Sequence, residues 1–227
     1  LILVTMRALE AYNLRREVKH LRERSVLSTE MIGRSSVMNQ LRNQIERVAP
    51  TNSRVLIRGP SGSGKELAAR VLHSKSNRAD GPFVVLNAAA MVPDRVEEEL
   101  FGIEDRTGGP RKVGALEEAH GGTLYIDEVA DMPLETQGKV LRVLVEQKFL
   151  RLGGTQKVAV DVRIISSTGR DLEREMAEGR FREDLYHRLN VVPLRVPSLA
   201  ERRDDIPELV NYFVQQIAQS SGLPPRK

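Results

Sequence analysis

With 227 residues and 40% hydrophobic content, the chain has material for one sizeable core, and without cysteine it has neither a disulfide framework nor a thiolate zinc site. A net charge of +4 with pI near 9.5 is compatible with nucleic-acid work but too mild to argue for it, and aromatics at 4% with no tryptophan speak against a base-stacking surface for single strands. No apolar run approaches the ~20 residues a bilayer span requires, and no basic-then-apolar leader precedes a cleavage site, so a cytoplasmic protein with no membrane partner is expected. The chain opens on Leu1 and closes on "PPRK", as a piece of something longer would.

Residues 1–29 read as a linker helix rich in Arg, Glu and Leu. Val4, Ala11, Leu14, Val18 and Leu21 stand at heptad spacing, broken at Arg7. A short coiled-coil pairing helix and an amphipathic helix lying on its own domain fit this stretch equally. From Glu30 to about residue 200, strands and helices alternate. "RVLIRG" (54–59) is a strand entering a glycine loop and "KELAARVLH" is the helix leaving it. "FVVLN" (83–87), "GTLYI" (122–126) and "VRIIS" (162–166) are further strands, and "VVPLRVP" (191–197) is a last short one. "LETQGKVLRVLVEQ" (134–147) is the most marked of the helices between them. This alternation predicts an α/β fold, a mainly parallel sheet sandwiched by helices. In residues 201–227 the pattern turns helical: Leu209, Val210, Phe213, Val214, Ile217 and Ala218 form one stripe, stopped by Gly222 and Pro224. A small helical lid subdomain is expected to begin there.

"GPSGSGKE" (59–66) has the spacing G-x-x-x-x-G-K-[ST] of a phosphate-cradling loop, with Glu66 at the last position. Gly59, Gly62 and Gly64, with Pro60, Ser61 and Ser63 between them, allow the backbone to curl its N–H groups toward phosphate oxygens. The helix that follows adds the positive end of its dipole, and Lys65 adds a mobile charge. Roughly sixty residues on, "TLYIDE" delivers Asp127 and Glu128 at the carboxyl end of a strand, where open parallel sheets bind ligands. Asp127 can hold a magnesium ion, and Glu128 can polarise an attacking water. Together the two motifs predict an ATP or ADP site with Mg2+. His73, His120 and His187 have no ligand spacing and are read as surface or core residues.

The order of these motifs with "EEELFG", "GALEEAHGGTLYIDEVADMPLETQGKVLRVLVEQKFLRLGG" and "GRFREDLYHRLNVVPLRVPSLAERRDDIPEL" resembles the AAA+ P-loop NTPase domain of bacterial enhancer-binding proteins. These are ATP-driven activators of sigma-54 RNA polymerase. The resemblance covers about residues 31–222, and the wording is similar to that of a response regulator from a nitrogen-related two-component system. It implies that Glu66 is the ordinary residue after the lysine, so that magnesium leans on Asp127 and the phosphates. It implies that Asn87 holds Glu128 until nucleotide and partner are in place, although alone Asn87 also fits a strand-end turn. Arg182 and Arg188 match arginines presented to a neighbouring subunit's ATP, a task that suits a planar, permanently charged guanidinium. By spacing alone they equally suit surface ion pairs with Glu183 and Asp184, and they are read as six apart on one helix, without a shared face. Ile32 and Gly33 match the segment beside the adenine. As partners the resemblance implies further copies of the chain, a dimer at rest and a ring when active. It also implies RNA polymerase holoenzyme, a sensor histidine kinase acting through a receiver domain, and DNA through a C-terminal helix-turn-helix. The chain stops before that helix-turn-helix and before the family's second sensor arginine.

Two departures bear on function. Activators that engage sigma-54 carry a G-A-F-T-G-A loop soon after "ELFG", and here the shorter "IEDRTGGPRKVGALEEAHGG" follows Gly102. In "STGRDL", Gly169 stands where the family has an asparagine that senses the outer phosphate, and the neighbouring Thr168 is expected to substitute through its hydroxyl. Binding should survive, with weaker or differently gated hydrolysis. Three functions stay in play. One is an ATPase that opens sigma-54 promoters. Another is a nucleotide-controlled oligomeric regulator acting without sigma-54 remodelling, which the missing loop favours. The third, a general AAA+ chaperone, is disfavoured by "ELFG" and "DMPLETQ".

Overall fold

The computed structural model describes residues 30–105 and 110–221, so the predicted helix over 1–29 lies outside the described residues, as do 106–109 and 222–227. The part from Ile32 onward is one compact unit and is described by itself. Its centre is a five-stranded sheet built from β1 (Val55–Arg58), β2 (Phe83–Asn87), β5 (Thr123–Asp127), β8 (Arg163–Thr168) and β9 (Val192–Arg195), in the order β2-β5-β8-β1-β9. Every neighbouring pair is parallel. The three central strands are buried almost throughout, and the two edges are partly open. Pro193 sits on the edge strand β9, where a missing ladder donor is tolerated.

Strand alternation sorts the side chains onto two faces. Leu56, Leu86, Leu124, Ile126 and Ile164 join the main core with Val140, Val143 and Leu144 of α5 (Leu134–Glu146), Leu172 of α6 (Leu172–Ala177), and Leu185 and Leu189 of α7 (Glu183–Leu189). The opposite face carries Thr123, Tyr125 and Asp127 and meets α2 (Lys65–Ser74), whose His73 Nδ1 lies 2.9 Å from Thr123 Oγ1. Helix α1 (Ser36–Val48) packs on α2 and β9 and buries Met38, Leu41 and Ile45. Between β2 and β5 run α3 (Pro93–Phe101), β3 (Ile103–Glu104), β4 (Pro110–Lys112) and the single turn α4 (Ala115–Glu118). A final helix, α8 (Ile206–Ser221), follows a kinked 3-10 segment over Leu199–Asp205.

Two antiparallel hairpins, β3 with β4 and β6 (Lys148–Leu150) with β7 (Lys157–Ala159), stand apart from the main sheet. The first replaces what the sequence reads as a plain shortened loop. Gly102 has φ +73, and a side chain there would lie 2.4 Å from the Lys112 carbonyl. At Gly114 a side chain would lie 2.4 Å from the Gly102 nitrogen, so this glycine pair lets the base of the hairpin close.

Candidate nucleotide site

The carboxyl ends of β1, β5 and β8 converge on the glycine loop. Gly62 (φ +74) and Gly64 (φ +99) hold the left-handed conformation that favours glycine, and beyond the adjoining residues a side chain there would meet nothing within 4 Å. Gly59 is glycine for another reason: a side chain there would meet the Val196 carbonyl at 2.7 Å and Ser63 Oγ at 2.9 Å. Ser61 and its neighbour Pro60 are exposed on the outer turn. Ser63 Oγ is buried without a hydrogen-bond partner. Glu66, on the first turn of α2, forms an i,i+4 ion pair with Arg70 at 2.7 Å.

Lys65 is 6% exposed and turns back into the loop, with Nζ 2.9 Å from Glu128 Oε1, 3.2 Å from the Gly59 carbonyl and 3.4 Å from the Pro60 carbonyl. Glu128 has φ 51 and ψ 56, one of two left-handed non-glycine residues among those described. Backbone strain of this kind gathers at functional sites. Its other oxygen, Oε2, accepts from the Gly169 N–H at 2.8 Å. Asp127, one residue before, takes a different set of donors. The Tyr125 hydroxyl lies 2.9 Å from Oδ1, Ser167 donates to the same oxygen, and Asn87 Nδ2 lies 3.4 Å from Oδ2. Burial pushes the Tyr125 phenol well above its ordinary pKa, so it stays a protonated donor.

This geometry gives several of the expected residues other partners. Asn87 lies beside Asp127. Its carbonyl oxygen caps the 3-10 turn at Ala89 and Ala90, which points its amide at Asp127, and Glu128 is held by Lys65 and the Gly169 amide. Thr168 does not take the sensor place. It stands on the opposite face of β8 from Ser167, and its hydroxyl accepts from the Arg170 N–H at 3.0 Å. The β8 hydroxyl that reaches the acids is that of Ser167. Arg182 is not within the helix but is its N-cap, held to Gln137 through its backbone N–H and paired with Asp184 at 2.8 Å. Arg188 lies in the last turn of α7 and is exposed. Both arginines face outward rather than joining Lys65 and Glu128.

Ile32 and Gly33 lead into a cap built by Asp205, whose Oδ1 accepts from the Arg34 and Ser35 N–H groups at 2.8 and 2.9 Å. Gly33 has φ +118, and a side chain there would strike the Asp205 carboxylate at 2.6 Å. Three residues before Asp205, Arg202 donates to the Ser63 carbonyl at 3.1 Å, tying the start of the last helical segment to the glycine loop. Sequence reading missed Arg202, Tyr125 and Ser167. The i, i+2 spacing of Tyr125 and Asp127 on one strand face was the available signal for the second of these.

A family model described as the sigma-54 interaction domain matches residues 31–195. The chain belongs to that family. It is 65% identical over 227 residues to the nitrogen assimilation regulatory protein NtrX of Azorhizobium caulinodans, covering all of this chain and 50% of that protein. The transcriptional regulator NtrC of Salmonella typhimurium is 48% identical over 199 residues, covering 86% of this chain and 42% of that one. The chain thus spans half or less of the curated relatives it matches. A crystal structure of NtrX from Brucella abortus in complex with ATP superposes with TM-score 0.87 at 62% identity, covering all of this chain and 48% of that one. The P-loop NTPase domain of an Escherichia coli sigma-54 activator matches in fold, with TM-score 0.51 at 23% identity over 74% of this chain and 99% of that one. The α/β architecture is that of the AAA+ P-loop NTPases, as the sequence predicts.

Proposed function

We propose that this chain is the ATP-binding central domain of a two-component transcriptional regulator, that nucleotide controls its self-assembly, and that it hydrolyses ATP. The observation that carries this reading is the Lys65 ammonium folded into the glycine loop and paired with Glu128. Such a pair is a cation held in direct contact with a base that an incoming phosphate can displace. The left-handed Gly62 and Gly64 and the unpartnered Ser63 Oγ suit a loop that wraps an anion. The solved relative from Brucella abortus, in complex with ATP, supports the same ligand here.

Binding then proceeds by exchange. Phosphate oxygens replace Glu128 and the loop carbonyls as partners of Lys65 Nζ, and Glu128 is freed to accept a proton from the water that attacks the γ-phosphorus, with ADP as leaving group. Asp127 offers a hard carboxylate oxygen at the mouth of the site and is the residue that would hold Mg2+, directly or through water. When bound, that ion neutralises charge building on the phosphate oxygens. Glu66, on the same loop-to-helix junction, is committed to Arg70. Arg182 and Arg188, exposed around α7, are the groups we assign to a neighbouring subunit's nucleotide, in a dimer or a ring.

After Gly102 the sequence reads IEDRTGGPRK rather than G-A-F-T-G-A, with Ile103–Glu104 and Pro110–Lys112 paired antiparallel, and on that departure in sequence we assign the chain to regulation without sigma-54 remodelling. DNA, RNA polymerase and a sensor kinase are reached through other parts of the longer protein. The family match itself favours a second reading, an activator that opens sigma-54 promoters. The two separate in one experiment: ATPase rate and oligomer size against protein concentration, with and without sigma-54. The proposal expects turnover that rises faster than linearly with protein and no complex with sigma-54. A stable sigma-54 complex in the presence of a transition-state analogue selects the second reading.

A further inference from the structure

Tyr125 and Ser167 are the two buried hydroxyls at the acidic end of the site. Tyr125 is the bulkiest of the fully buried side chains, and its ring is packed by Phe83 at 6.1 Å between centroids. A phenylalanine would fill the same volume. The hydroxyl therefore needs its own account, since a buried O–H is unfavourable unless it is bonded. Both of its partners belong to the site: Asp127 Oδ1 and Ser167 Oγ, each at 2.9 Å. Ser167, also fully buried, donates to the same Oδ1, and its oxygen lies 3.4 Å from the Glu128 N–H. The two hydroxyls thus touch Asp127 by its side chain and Glu128 by its backbone. Oδ2 is left with the Asn87 amide at 3.4 Å.

We propose that Tyr125 and Ser167 are positioning residues that saturate Oδ1 of Asp127, so that Oδ2 alone meets Mg2+ or its hydration shell. The inference rests on the nucleotide reading above. Its physical basis is that Mg2+ demands near-ideal octahedral geometry and keeps several waters, so a carboxylate that could rotate or chelate through both oxygens is a poorer partner than one fixed by a single oxygen. Groups that hold a metal-binding carboxylate from behind contribute about 10–100-fold to metal affinity. Thr168 cannot share this role, being on the other face of β8.

The test is calorimetric titration of ADP into the chain, once with Mg2+ and once with EDTA, for the parent, Tyr125→Phe, Ser167→Ala and Ser167→Thr. The Mg2+-dependent gain in ADP affinity is expected to shrink about tenfold in Tyr125→Phe and in Ser167→Ala, with ADP affinity in EDTA unchanged. Ser167→Thr, which keeps the hydroxyl, should restore the gain. A gain unchanged in both loss variants overturns the proposal. So does a loss that is equal with and without Mg2+, since a structural role would weaken both. Should Tyr125→Phe fail to fold, Ser167→Ala decides alone. If the parent itself binds no ADP in either condition, the nucleotide reading fails; if the parent binds and the variants match it, only the hydroxyl clamp fails.

Discussion

Strand β8 carries a buried cluster at each end, and the two are built on opposite plans. At its start, Arg163 is 2% exposed and directs Nε, Nη1 and Nη2 at the carbonyls of Ser53, Ala49 and Val48, at 3.1, 2.8 and 3.1 Å. No acid is among those partners. Burial lowers the Arg163 pKa, with the nearby Arg78 charge acting in the same direction, and the C-terminal carbonyls of α1 compensate. At the other end of the sheet Lys65 is nearly as buried, yet its partners are an acid and two loop carbonyls. A buried cation fixed to main-chain carbonyls alone is structural. A cation whose partners an incoming anion can replace is a site.

This contrast can be broken in graded steps. The largest effect should come from Lys65→Ala: ADP affinity is expected to fall roughly 100-fold by calorimetry. Its stability should move by about 1 kcal/mol or less, because Glu128 keeps the Gly169 N–H and part of its exposure. Glu128→Gln should lower ATP turnover by about 10²–10⁴-fold in a phosphate-release assay. Nucleotide affinity in that variant should hold or rise, since Lys65 no longer has an anionic partner in the empty site. Arg163→Leu reverses the profile. It removes the guanidinium donors of the Ala49 and Ser53 carbonyls, while Val48 keeps Thr51, and should lower denaturant stability by about 3 kcal/mol, with ADP affinity unchanged in the folded fraction.

A smaller effect sharpens the picture between the two clusters. Arg58, just before Gly59, pairs with Glu173 at 2.8 Å and donates to the Tyr186 hydroxyl at 2.9 Å, linking the loop strand to α6 and α7. The Arg58 guanidinium holds the Glu173 carboxyl down from 4.5 to about 2. A depressed carboxyl stabilises the fold above its unfolded pKa, and that contribution is lost as pH falls from about 4.5 toward 2. Glu173→Gln should therefore cost about 0.5–1 kcal/mol at neutral pH, with allowance for its exposure, and flatten the stability profile in this acid window. An unchanged profile would place the network among the energetically silent surface pairs.

Much of the architecture was legible because hydrophobic alternation and glycine spacing are local signals. The five sheet strands fall within two residues of their expected limits, and the glycine loop lies between β1 and α2 as its spacing requires. What sequence did not show depends on faces and register. Thr168 and Ser167 are adjacent in sequence and both polar, and only the pairing of β8 decides which one meets Asp127. That Asn87 lies beside Asp127 also depends on local geometry, since its own turn takes its carbonyl oxygen and leaves the amide to face that acid. Arg182 was placed inside a helix that begins one residue later. The β3–β4 and β6–β7 hairpins were missed because strands of two or three residues carry too little alternation to stand out.

The central claim is that Lys65 and the glycine loop hold the phosphates of an adenine nucleotide while Glu128 waits beside them. Calorimetry of ADP against the parent chain and Lys65→Ala tests it most directly. Saturable one-to-one binding to the parent, reduced roughly 100-fold in the variant, is the predicted result. Equal heats from both proteins, or none from the parent, would contradict it.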